Sequence, residues 1–141
     1  MSQENVGIVQ RLYDAAPEVQ ALLSRGGDLR QHPWLSLWHP DCVIEEMDEA
    51  PDADSYHGRE GVARYFERAF NEVWREWRFV PQEFIDGPEG VFVAVANSGL
   101  SRTGIEVNMQ IFQTFRLLDG MVDHVKGYVD RNQALKAVGL E

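Results

Sequence analysis

From the start of the chain, apolar residues recur at three- and four-residue steps: Val6, Val9, Leu12, Tyr13 and Ala16. That spacing predicts a helix with one buried face. Pro17 interrupts it, and proline suits the first turn of a new helix, so the pattern restarts from Pro17 to Arg25 with Val19, Leu22 and Leu23 inward, and Gly26-Gly27-Asp28 stops it. Two short helices and one kinked helix both satisfy it. Pro33 to Trp38 predicts another helical turn, packed on the core by its two tryptophans and ended before Pro40. Cys42 to Met47 reads as a strand that leaves the core near Glu46, and Asp48 to Tyr56 as a loop. From Arg59, the positions Val62, Tyr65, Phe66, Ala69, Phe70, Val73, Trp74 and Trp77 alternate steps of three and one. They predict one long helix to about Glu76 that lays Val62, Phe66, Phe70 and Val73 on a sheet.

The period then changes. Phe79 to Ile85, Val91 to Ala96, Ile105 to Leu118 and Met121 to Val129 predict strands, and the turn signals between them are Asp86-Gly87-Pro88-Glu89-Gly90, Asn97-Ser98-Gly99 and Asp119-Gly120. Asp130 is placed to cap a last short helix, Arg131 to Val138, closed by Gly139. Helices first, one more helix after a single strand, then a four-strand meander give an α+β domain whose helices cover one face of a curved, mainly antiparallel sheet.

Composition narrows the function classes. With 141 residues, 44% of them apolar, the chain fits one domain spanning 1–141. Twenty-three acidic against thirteen basic residues give a formal charge of −10, which repels a phosphate backbone and an anionic membrane surface. Neither nucleic acid nor a membrane is an expected partner. No apolar run approaches the ~20 residues that span a bilayer, and the polar start Met-Ser-Gln-Glu-Asn lacks the order of a signal peptide. A cytoplasmic location is expected, and the single Cys42 agrees with a reducing compartment. His32, His39, His57 and His124 are scattered with no metal-ligand spacing, so no metal is expected. No phosphate-binding loop, dinucleotide fingerprint or nucleophile elbow occurs either, and no cofactor is expected.

One strand carries a chemical signal. Along 105–118 the odd positions are Ile105, Val107, Met109, Ile111, Gln113, Phe115 and Leu117, and Gln113 interrupts an otherwise apolar row. A buried amide costs ~1–3 kcal/mol unless it is matched. Gln113 therefore requires a side-chain or backbone partner, a water or a ligand. The opposite face of that strand carries Gln110 and Phe112, with Tyr128 beside them on the next strand, and an aromatic there predicts a partner surface.

Tyr13, Pro40-Asp41, Tyr56-His57-Gly58-Arg59-Glu60-Gly61, the Asp119-Gly120 turn and the closing Ala134-Leu135 and Gly139-Leu140 follow one another in a recognisable order. In that order the chain resembles the SnoaL-like branch of the nuclear-transport-factor-two-like superfamily, relatives of ketosteroid isomerases and polyketide cyclases. The resemblance implies a cone-shaped, cystatin-like α+β fold with an internal pocket, and a homodimer formed through the outer sheet face. The segment from Pro17 to His32 is longer than the usual link. Set beside ketosteroid isomerases, the resemblance assigns their oxyanion-binding tyrosine to Tyr13, their catalytic base to Glu46 and their second oxyanion donor, a protonated aspartate, to Gln113. An amide still donates there.

The implied activity is acid–base proton transfer on a hydrophobic small molecule, of isomerase, dehydratase or cyclase type. Its pocket would be walled by Trp34, Trp38, Phe66, Met109, Ile111 and Phe115. The alternative is a non-catalytic ligand-binding or dimerisation module on the same fold, with Glu46 a solvated strand end and Tyr13 a packing residue. Cyclases and epoxide hydrolases of the superfamily place an acid where this chain has Gly127, so those reactions would require Asp123 or Asp130 as a substitute.

Overall fold

A computed structural model describes residues 2–50 and 54–140. Helix α1 (Ser2–Asp14) and helix α2 (Ala16–Ser24) are separate, and Pro17 sits in the first turn of the second. Two 3₁₀ turns, Leu29–Gln31 and Pro33–Leu37, lead into strand β1 (Trp38–Glu45). A short strand β2 (Ser55–His57) follows, then helix α3 (Gly58–Arg68) and a π-helical turn, Ala69–Val73. The meander comprises β3 (Trp74–Gly87), β4 (Gly90–Ser101), β5 (Glu106–Leu118) and β6 (Met121–Tyr128), and helix α4 (Arg131–Ala137) closes the chain.

The six strands form one sheet in the order β2-β1-β6-β5-β4-β3. Every neighbouring pair is antiparallel except β1 and β6, which run parallel. Because β1 is separated from β6 by most of the chain, sequence neighbours alone do not reveal this pairing. The Asp119-Gly120 turn closes the β5–β6 hairpin with both residues at positive φ, 55° and 75°, as two-residue hairpins favour.

Two apolar layers flank the sheet. Val9, Leu12, Tyr13, Val62, Val91, Val93 and Val95 belong to the larger, between the sheet and the helices α1 and α3. Phe92, Ala94 and Phe112 form the smaller one, under Ala134 of α4 and Val138 just after it. Strand β4 is thus buried on both faces, which accounts for its unbroken apolar run Val91 to Ala96. Asp130 caps α4 through the amides of Asn132 and Gln133, as its position predicted.

Four expectations are corrected. The helix expected from Arg59 to about Glu76 stops short: α3 passes at Arg68 into the π-helical turn, which ends at Val73, and Trp74 already begins β3. The cause is a coincidence of periods. A register shift between Trp74 and Glu76 bulges the strand and leaves Trp74 and Trp77 stacked, centroids 5.7 Å apart and planes 4° off parallel. A bulge thus reproduces the three-residue spacing of a helix. Val73 consequently lies exposed at the turn instead of facing the sheet. Asn97-Ser98-Gly99 is not a turn but lies within β4, paired to Phe79, Arg78 and Trp77. Phe112 does not offer an aromatic surface to a partner, because α4 covers it and leaves it 6% exposed. The expectation that helices lie on one face alone fails for the same reason.

Candidate functional site

The register of the sheet builds the centre of the site. Phe84, Val93, Gln113 and Gly127 stand side by side across β3, β4, β5 and β6. On the parallel strand β1, Glu45 pairs with Lys126, so the next residue, Glu46, falls level with Gly127. Strands lie about 4.8 Å apart, which sets Glu46 and Gln113 about 10 Å from each other across a residue with no side chain. Met47 fills part of that gap: a Cβ at Gly127 would lie 3.4 Å from its Cε. The acid that cyclases place at this point is therefore replaced by a thioether brought from β1's end, and Asp130 is engaged as the cap of α4.

Tyr13 reaches the row from α1. It is 8% exposed and is enclosed by the edges of Phe79, Phe84 and Phe115, with centroids 6.1, 5.9 and 5.9 Å away. Its O–H donates to Oε1 of Gln113. Burial pushes the Tyr13 phenol well above its ordinary pKa, so it stays protonated and acts as a donor. The bond also fixes the amide. With Oε1 occupied, the Nε2 group of Gln113 is left as the free donor.

Glu46 continues the inward alternation of Cys42 and Ile44, both buried. Its backbone amide donates to the Asp54 carbonyl at 3.0 Å, which extends the β1–β2 pairing and holds the chain. Its Oε1 is buried and has no hydrogen-bond partner among the described residues. No hydrogen bond there joins Glu46 to Tyr13 or Gln113. The nearest chemistry comes from α3 instead. Burial first, and then the Glu46 charge, push the Tyr65 phenol above its ordinary pKa. Arg68 donates to the Tyr56 hydroxyl at 2.8 Å, and that bond, with a lesser contribution from Glu46, raises the guanidinium further. Asp54, Tyr56, Arg64 and Arg68 line a surface recess of about 390 Å³ beside this end of the row.

Glu45, one residue earlier, points to the other face. It accepts from His124 Nε2 at 2.7 Å, with Lys126 Nζ at 3.6 Å. The His124 hydrogen bond, followed by the charges of His124 and Lys126, holds its carboxyl below the usual range. Adjacent glutamates thus have opposite environments through strand alternation alone.

Of the expected walls, Trp34, Trp38, Ile111 and Phe115 are buried, and Phe66 is partly so. Trp34 packs edge-on to Trp38 and Phe66 at 5.6 and 5.3 Å, and its Nε1 donates to the Leu12 carbonyl. Met109 is not a wall: it is 41% exposed, because β6 ends at Tyr128, opposite Phe112, and leaves the first part of β5 without that neighbour. Sequence reasoning did not single out Tyr65, Tyr56, Arg68, or the Trp77–Asn97 hydrogen bond of 2.7 Å. Tyr65 was visible only as one member of an apolar helical stripe. Among the described residues no three His, Cys, Asp or Glu side chains gather as metal ligands, and no helix is long and apolar enough to cross a membrane.

A family model described as a SnoaL-like domain matches residues 19–125. The chain belongs to the SnoaL-like domain family. Solved structures agree with that fold for the SnoaL-like chain. An NTF2-like protein from Burkholderia xenovorans LB400 is 22% identical, with 99% of this chain and 98% of that one covered and a TM-score of 0.70. An NTF2-like protein of unknown function from Burkholderia pseudomallei K96243 is 18% identical over 96% and 98%, also at 0.70. A protein with a ketosteroid isomerase-like fold from Catenulispora acidiphila DSM 44928, in complex with trimethylamine, is 12% identical over 77% and 81%, at 0.59. No curated protein gives a significant match. The family and fold are those the ordered motifs implied.

Proposed function

We propose that this SnoaL-like chain is a small-molecule enzyme of isomerase, dehydratase or cyclase type that works by proton transfer, with Glu46 as base. In this reading Glu46 takes a proton from a carbon next to a carbonyl, and the Nε2 group of Gln113 donates to the oxygen on which charge develops. Tyr13 is a positioning residue that holds the Gln113 amide so that its NH₂ is free. The observation that carries the reading is the buried, unpartnered Oε1 of Glu46, on the same inward row as an amide whose oxygen is already tied down. A buried polar atom without a partner costs ~1–3 kcal/mol and more when charged, so each one in a folded chain calls for an explanation, and a ligand that completes it is one. The aromatic and aliphatic surroundings suit a hydrophobic substrate.

A carbon acid that needs only a base tests this. 5-Nitrobenzisoxazole opens when a base removes its ring C–H, and the product is coloured. The wild-type chain is expected to open it faster than buffer, and Glu46→Gln to lose about 10²-fold or more of that excess, the contribution of a positioned base. Equal rates for the two chains would remove Glu46 from the chemistry.

A further inference from the structure

Tyr65 stands over the end of β1. Its ring meets Tyr56 edge-on at 5.3 Å and Phe66 at 5.0 Å, and Tyr56 is paired in the β1–β2 ladder to Ile44, two residues before Glu46. Tyr56 spends its hydroxyl as acceptor for Arg68. Tyr65 is half-buried, and its hydroxyl makes no hydrogen bond among the described residues, which leaves it free to donate. On one side of the row, therefore, Tyr13 and Gln113 satisfy each other. On the α3 side, the Glu46 Oε1 and the Tyr65 hydroxyl have no hydrogen-bond partner among the described residues, and the Glu46 charge acts on Tyr65.

We propose that Tyr65 is a further catalytic residue, the donor to the substrate oxygen nearest the carbon that Glu46 deprotonates. The inference rests on Glu46 being the base. In the proton-transfer step the C–H bond breaks, its proton passes to Glu46, its electron pair forms a C=C bond to the carbonyl carbon, and the C=O π pair moves onto the oxygen, which accepts a hydrogen bond from Tyr65. Tyr65 keeps its proton in this step, and the proton on Glu46 returns to carbon in the next. The direction of its titration suits that role: burial and the Glu46 charge both hold the phenol protonated. Gln113, about two strand spacings away, donates to a conjugated oxygen farther along the substrate, on which the same charge also develops.

The test uses ring-substituted benzisoxazoles, in which loss of the C–H proton breaks the N–O bond and leaves charge on a phenolate oxygen. Tyr65→Phe is expected to lower kcat about 10- to 100-fold with KM nearly unchanged, and to steepen the dependence of kcat on the acidity of the product phenol, because the donor to that oxygen is gone. A role confined to packing would not change that slope. Should Tyr65→Phe fold poorly, 3-fluorotyrosine placed at position 65 keeps the shape and strengthens the acid, and the slope is then expected to become shallower. Glu46-dependent turnover with an unchanged slope in both variants overturns the role of Tyr65 and leaves Glu46 as base. Absence of Glu46-dependent turnover overturns both.

Discussion

The bond between Tyr13 and Gln113 joins residues one hundred positions apart and ties α1 to the centre of the sheet. Tyr13→Phe removes only the hydroxyl, and the ring keeps its edge contacts with Phe79, Phe84 and Phe115. What is lost is a net hydrogen bond, and what is created is an unmatched carbonyl on Gln113. Together these are worth about 1–3 kcal/mol. Gln113 is only partly buried, so water reaches the orphaned amide and the lower half of that range is expected, about 1–2 kcal/mol. Gln113→Leu leaves the more deeply buried Tyr13 hydroxyl alone and should cost at least as much. The double variant Tyr13→Phe with Gln113→Leu leaves no orphan, so its loss should fall about 1–2 kcal/mol short of the sum of the single losses. Urea unfolding followed by circular dichroism, with equal m-values across the four proteins, reads the three differences. Losses that simply add would show that the bond contributes nothing and that Gln113 is satisfied some other way.

Two further expectations follow from local geometry. The Glu45 carboxyl titrates below its ordinary value of 4.5 when folded. Its contribution is therefore complete above about pH 4.5 and is lost as pH falls through the lower folded value. Glu45→Gln should be less stable than wild type by up to about 1 kcal/mol at pH 7, since the side chain is 39% exposed, and the gap should close in acid unfolding below pH 4; a gap independent of pH would refute the assignment. Among the glycines, Gly99→Ala should cost about 1–3 kcal/mol, because its Cβ would lie 2.3 Å from the Glu76 carbonyl oxygen. Gly7→Ala, in α1 with no atom within 4 Å of the new Cβ, should gain about 0.5–1 kcal/mol, and thermal melts that rank the two the other way would contradict the packing.

Several elements were determined by the sequence itself, because their signals are local. Asp130 capping α4, the Asp119-Gly120 hairpin and the period-two row of β5 each depend on residues within one turn or one strand. The inward alternation of β1 likewise separates Glu45 from Glu46. Other outcomes were decided only in three dimensions. Trp74 and Trp77 carry a helical spacing that a bulge satisfies equally well, and the pairing of β3 with β4 chose the strand. Phe112 is an exposed aromatic or a core residue according to whether a helix that follows it by eighteen residues folds back, and α4 does. The amide at Gln113 announced that it required a partner, but the reach of α1 determined that the partner is Tyr13, and the parallel contact of β1 with β6 set Glu46 level with Gly127, where its Oε1 has no partner among the described residues. Alternation and capping are written into neighbouring residues, whereas the company a side chain keeps across the sheet depends on which strands meet, a choice made by the burial of the whole chain.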